Sequence, residues 1–148
     1  REALRAAISA GLPVSDHCEE EALADGGVMN DGEVARRLGL PPKNRTAEEL
    51  IVARNILLSR EAGWPVHIQH VSSAGSVSLL RWARSQGIVV TAEAIPHHIL
   101  LTEEAVCCHG ANAKRTARPS WKAWPIARLP PSPPTMPRMP PRKKGWAC

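Results

Sequence analysis

Two histidines stand where the sequence places the ends of strands. His17 follows Leu12-Pro13-Val14-Ser15-Asp16, a short extended run, and precedes Cys18-Glu19-Glu20. His67 and His70 lie in a second such run, Trp64 to Val71. In parallel α/β folds the chemistry sits at the C-terminal ends of strands, so a histidine there can point into a site. His67 and His70 share this strand, and their odd separation turns their side chains to opposite sides. His70 is nearer the end and is the ligand candidate; His67 is expected to be structural. His97-His98 follows a third run, behind Pro96, and one of the two is expected to sit just outside the ligand positions. Neutral imidazoles at the ends of successive parallel strands suit Zn²⁺ and point to metal-assisted hydrolysis. Cys107-Cys108-His109 has no second cysteine pair near it and reads as free thiols in a reducing compartment. Gly26-Gly27 and Gly75 do not make a phosphate-binding loop.

The elements that must position these residues alternate. Glu2 to Ala10 reads as a helix stopped by Gly11. The run to Asp16 is the first strand. Residues 18–45, rich in Gly, Asp, Asn and Pro, read as a long excursion with a helical piece near Glu33–Leu38, and long excursions in compact domains are often functional. Thr46-Ala47-Glu48-Glu49 has the form of a capping box and opens a helix to about Ala62, with Gly63 as its stop. Leu50, Ile51, Leu57 and Leu58 are its expected apolar face. Trp64 to Val71 is a strand, and Ser72 to Gln86 holds a helix capped near Ser73 or Ser76 and stopped by Gly87. Ile88 to Ala94 is a β-branched strand bounded by Pro96. Strand and helix in alternation imply parallel strands with right-handed crossovers. A doubly wound sheet and a (β/α)8 barrel both satisfy this pattern. A whole barrel needs ~250 residues, so the 148 residues present could supply only part of one.

Composition divides the chain. Residues 1–110 hold 10 Lys/Arg and all 14 Asp/Glu, a net −4, whereas residues 111–148 hold 9 Lys/Arg and no acid. Nine of the 14 prolines lie in that second stretch. Pro130-Pro131-Ser132-Pro133-Pro134 and Pro140-Pro141 forbid helix and central strand, so 115–148 is expected to be a disordered, polyproline-like tail. Its charge and three Trp would suit nucleic acid, but no fold is expected to present them, and weak nonspecific adhesion is the expected outcome. No apolar run reaches the ~20 residues of a membrane span. The start lacks a signal-peptide core and an initiator Met, as in the middle of a longer cytoplasmic chain.

Several segments, taken in order, resemble dihydroorotase, a cyclic-amide hydrolase family of the amidohydrolase superfamily. They are Val14 to Glu20, Gly27 to Glu33, Ala47-Glu48-Glu49, Val52-Ala53-Arg54, His67 to Ser72, Thr91 to His98 and Gly110 to Lys114. The resemblance covers about residues 1–114. It implies a (β/α)8 barrel, of which this chain would hold about three strands with their helices, and a zinc site that is often binuclear. His17 matches the family's metal histidine of the fifth strand and His70 that of the sixth. On a tetrahedral zinc with bonds of ~2.1 Å their ring nitrogens would lie ~3.4 Å apart. The family's metal activates a water that attacks the ring amide, and an Asp on the eighth strand moves the proton. The reaction interconverts dihydroorotate and N-carbamoyl-aspartate in pyrimidine synthesis.

The departures are equally specific. The resemblance places a His-x-His metal pair and a bridging Asp upstream of Arg1. After Lys114 it expects Asn-Pro-Pro-Leu-Arg, where Arg115-Thr116-Ala117-Arg118-Pro119-Ser120 stands. The eighth-strand Asp is missing, so no catalytic residue is retained, no substrate-binding residue is assigned, and at most one zinc is partly ligated. Back-translated with free codon choice and read from the third base of each codon, starting at the last base of Pro134, the stretch Thr135 to Lys144 can become Asp-His-Ala-Pro-His-Ala-Ala-Glu-Glu-Lys, the missing motif. A frameshift between Lys114 and Trp121 accounts for the tail without giving it a function. Two other identities fit the resemblance. One is a non-catalytic subunit of aspartate transcarbamoylase; the other is a related cyclic amidohydrolase, namely a hydantoinase, dihydropyrimidinase or allantoinase. A partial barrel leaves sheet edges bare, so self-association is expected of the isolated chain.

Overall fold

A computed structural model describes residues 2–103. Cys107, Cys108, His109, the stretch 110–114, the tail and the proposed frame change lie outside the described residues. Helix α1 (Glu2–Ala10) leads to strand β1 (Val14–Asp16); α2 (Glu21–Ala24), β2 (Met29–Asn30), α3 (Glu33–Leu38) and β3 (Pro42–Lys43) follow. Then come α4 (Thr46–Ala62), β4 (Val66–Ile68), α5 (Ala74–Ser85), β5 (Val90–Ala92) and α6 (Pro96–Leu100). The fold is α/β with parallel strands. Sheet order is β1-β4-β5, with Val14, Val66 and Val90 side by side, then Ser15, His67 and Thr91, then Asp16, Ile68 and Ala92.

Alternation sorts the two faces of this sheet. Val66, Ile68 and Val90 are buried with Val52 and Ile56 of α4 and Val77 and Leu80 of α5. Ser15 and Thr91 are exposed on the other face, with His67 half-buried between them. Gly11, Gly63 and Gly87 all stop helices at positive φ (70°, 62° and 70°), as their placement in the sequence predicts.

The structure corrects four local expectations. The capping box at Thr46 does not form. The Thr46 N–H donates instead to Asn44 Oδ1 at 2.9 Å, and the residue at the cap position, Arg45, makes no side-chain cap. Glu48 and Glu49, which would have served the box, are turned toward α5. The Glu48 carboxylate accepts from the Ser72 and Ser73 N–H groups at 3.0 Å, and the Glu49 carboxylate lies where a Cβ on Gly75 would have to go.

The buried stripe of α4 is also different. Ala47, Ile51, Val52, Asn55, Ile56 and Ser59 face inward, while Leu50 and Leu57 are about half exposed (49% and 46%). Two members of that stripe are polar and earn burial through hydrogen bonds: the Ser59 hydroxyl reaches Trp64 O at 2.8 Å, and Asn55 reaches Asp16. The apolar pattern alone could not reveal them.

The excursion is more ordered than a loop. Its β2 and β3 form a second parallel sheet, pairing Met29 with Pro42 and Asn30 with Lys43. Met29, Val34 and Ala35 make a separate small core, with Leu40 against it. A Cβ on Gly27 would strike the backbone of Pro42 and Lys43, so only glycine permits that approach. Finally, α6 begins at Pro96, a residue suited to the first helical position.

Candidate metal centre

His17 lies one residue past β1. Its neighbours on either side point toward α4: Asn55 Nδ2 donates to Asp16 Oδ2 at 2.5 Å and to Cys18 Sγ at 3.2 Å. Arg54 adds an ion pair to Asp16 Oδ2 at 3.3 Å. This polar knot fastens the end of β1 to α4. With Asp16 and Cys18 both turned to the helix, His17 between them is turned away from it. The Cys18 thiol is pushed up to about 12, first by burial, which outweighs the lowering effect of the Asn55 hydrogen bond; the Asp16 charge raises it further. Its neutral thiol form is favoured at physiological pH.

His70 reaches the same place by another route. Strand β4 ends at Ile68, so the pleat does not carry through to position 70, and the expected alternation of faces between His67 and His70 does not apply. His70 instead adopts φ 35°, a left-handed backbone that a non-glycine residue takes at a cost of ~1–3 kcal/mol and that clusters at functional sites. Its flanks are held. The Gln69 N–H donates to Asp16 O at 3.0 Å, and the Val71 N–H donates to Glu93 O at 2.8 Å. Glu48 then holds Ser72 and Ser73, including a hydrogen bond from the Ser72 hydroxyl. Ser73 caps α5 by accepting from Ser76 N–H at 3.0 Å. The Glu48 carboxylate charge also favours the helix N-terminus.

These two placements bring His17 Nδ1 to 3.0 Å from His70 Nε2, with ring centroids 4.7 Å apart. The pair is open to solvent on one side, the His17 side chain being 45% exposed. Two other histidines are engaged elsewhere. His67 Nδ1 meets Thr91 Oγ1 at 2.8 Å, and its Nε2 lies 3.7 Å from Glu93. The buried His98 ring is 3.1 Å from Val71 O, which ties α6 to the residue after His70.

The donor set fits one cation. Two ring nitrogens 3.0 Å apart subtend an angle of roughly 90° at an ion with bonds of ~2.1 Å. Among the described residues no set of three or more His, Cys, Asp or Glu side chains converges on such a point, and the two imidazoles are the donors brought together. Glu19 and Lys43 complete the surroundings. Glu19 Oε2 lies 3.3 Å from His17 Nε2 and 2.5 Å from Lys43 Nζ. Lys43, Glu48 and Asn55 escape a reading of the sequence because each depends on a partner distant in the chain, and Glu19 because its aim is set by Lys43.

Comparison with known proteins gives a consistent set of matches. The profile described as dihydro-orotase-like matches residues 1–76. The dihydroorotase of Pelotomaculum thermopropionicum is 50% identical over 114 residues, covering 77% of this chain and 27% of that protein. That of Mycobacterium tuberculosis is 50% identical over 103 residues, covering 70% and 24%. Among solved structures, a D-hydantoinase (dihydropyrimidinase) from Thermus sp. superposes with a TM-score of 0.61 at 19% identity, over 79% of this chain and 28% of that one. The dihydropyrimidinase of Brevibacillus agri gives a TM-score of 0.57 at 21% identity, over 74% and 26%. The chain spans about a quarter of the length of the relatives it matches.

Proposed function

The chain belongs to the dihydro-orotase-like family, and from that premise we propose that it is the middle of a metal-dependent cyclic amidohydrolase whose substrate is dihydroorotate. In this reading residues 1–114 form three successive strand–helix units of a (β/α)8 barrel, and 115–148 is a tail foreign to the family. The sheet supports it. Among the described residues α4 and α5 pack on one face of parallel strands β1, β4 and β5, and the other face presents Ser15, His67 and Thr91, as a barrel interior would. The identity of about half to dihydroorotases, against about a fifth to the hydantoinases, favours dihydroorotate as the ring that is opened to N-carbamoyl-aspartate.

The observation that carries the proposal is the 3.0 Å approach of His17 Nδ1 to His70 Nε2. Two neutral imidazole nitrogens at that distance are poised to share one cation, for which zinc is the expected identity. When bound, the ion supplies Lewis-acid activation of water and of the amide carbonyl. The residues of this chain hold the ligand positions. The Asp16–Asn55–Arg54 knot fixes the backbone before His17, and Glu48 fixes the loop after His70. No described residue is assigned to move the substrate's proton. The 148-residue chain with zinc is therefore expected to hydrolyse dihydroorotate no faster than a blank containing the metal alone.

The binding test uses the intact chain. Titration calorimetry with Co²⁺ or Zn²⁺ should give one site of modest affinity, and His17→Ala or His70→Ala should remove it. Unchanged binding in both variants would overturn the metal reading. No described helix is long and apolar enough to cross a membrane.

A further inference from the structure

The excursion between β1 and α4 ends on a lysine whose placement is fixed from three sides. Lys43 is paired with Asn30 across the small parallel sheet. Its backbone is pressed against Gly27, where no Cβ would fit. Asn30 in turn donates to Glu103 Oε1 at 2.8 Å, anchoring the small sheet to the segment beyond β5. From this seat Lys43 Nζ reaches Glu19 Oε2 at 2.5 Å, with both side chains about four-fifths covered. The same oxygen lies 3.3 Å from His17 Nε2. Its neighbour in sequence, Glu20, shares neither contact.

We infer that Glu19, held by Lys43, is a positioning residue that keeps the proton of neutral His17 on Nε2 and so leaves the Nδ1 lone pair facing His70. The inference rests on the reading of His17 and His70 as a cation pair. Its physics is general. A neutral imidazole carries one proton on either nitrogen, and the nitrogen that donates to a neighbour decides which one is left to bind a metal. A carboxylate on the far nitrogen fixes both tautomer and ring orientation, and loss of such a partner lowers metal affinity ~10–100-fold. Lys43 keeps the Glu19 carboxylate aimed. Without Glu19 the His17 proton is free to move to Nδ1, the nitrogen that faces His70. The small sheet thus has a purpose in this scheme: it carries one ammonium group to the back of a ligand.

Two readouts on the full chain test this. In the metal-free protein, long-range ¹H–¹⁵N spectra taken above the imidazole titration should show His17 protonated at Nε2. Glu19→Ala should shift it toward Nδ1–H, and Glu20→Ala should leave it unchanged. Cobalt affinity should fall ~10–100-fold in Glu19→Ala, less in Lys43→Met, with recovery in Lys43→Arg and no change in Glu20→Ala. Should Glu19→Ala not fold, Glu19→Gln keeps the shape while losing the pull of Lys43, and a smaller loss in the same direction is expected. An unaltered Nε2–H tautomer in a folded Glu19 variant overturns the inference. If His17→Ala and His70→Ala leave cobalt binding intact, the cation pair itself is wrong, and the tautomer spectra still decide what Glu19 does.

Discussion

The two parallel sheets of this chain are built on different terms. Strands β1, β4 and β5 gain their order from apolar burial against α4 and α5, with Val66, Ile68, Val52 and Ile56 at 3% exposure or less. Strands β2 and β3 have two residues each and a core of three fully buried side chains. Close backbone approach at Gly27, a hydrogen bond from Asn30 to Glu103 and the Lys43–Glu19 ion pair make up the difference. The large sheet positions the imidazoles. The small one positions a charge behind one of them. A scaffold rich in buried surface can hold ligands against backbone strain, as at His70, whereas a thin one can only steer.

The comparison breaks most visibly at the imidazoles. His70→Ala and His17→Ala should each weaken Co²⁺ binding by more than the ~100-fold that outer partners are worth, as titration calorimetry would show, whereas substitutions confined to β2 and β3 should not exceed that range. Next come the cores. Ile56→Ala should cost about 2–5 kcal/mol in global urea unfolding. Met29→Ala, equally buried at 1%, should appear chiefly as faster amide exchange across residues 27–43. If Met29→Ala lowers global stability as much as Ile56→Ala, the two sheets are one cooperative unit and the contrast drawn between them fails.

A smaller effect is expected at the polar knot. Asn55→Ala strips a donor from Asp16 and from Cys18 and should cost about 1–3 kcal/mol, read by the same unfolding curves. The smallest is a pH effect visible only in alkali. The Cys18 thiol, normally near 9.0, is raised to about 12 in the folded chain. A folded value above the unfolded one means that its contribution is fully present below pH 9 and is lost as pH rises from there toward 12. Urea midpoints should fall over that window, and Cys18→Ala should flatten the fall. At pH 8 iodoacetamide should leave Cys18 unlabelled until the chain is unfolded.

Much of the large sheet was legible from sequence because its signals are local. Glycines at 11, 63 and 87 stop helices, and β-branched runs at 66–68 and 88–90 need no partner to be read. What escaped depended on contacts far along the chain. Glu48 looks like part of a cap until Ser72 and Ser73 are seen to claim it. Asn55 breaks an apolar stripe until Asp16 is found beneath it. Strands of two residues leave no period to detect. The meeting of His17 with His70 followed only from the resemblance to dihydroorotases, since strand alternation was argued over residues that lie beyond the strand. Pro96 alone offered a missed local signal, because proline often opens a helix.

The hydrogen bonds from Ser72 and Ser73 to Glu48 have a bearing on the order of assembly. The carboxylate that shapes the turn after His70 sits 24 residues earlier, on a helix that must already lie against the sheet. A chain emerging from the ribosome would therefore complete α4 first, and only afterwards could the second imidazole swing into place. Cation capture would then report the docking of that helix, as a late event in maturation and not a nucleus for it.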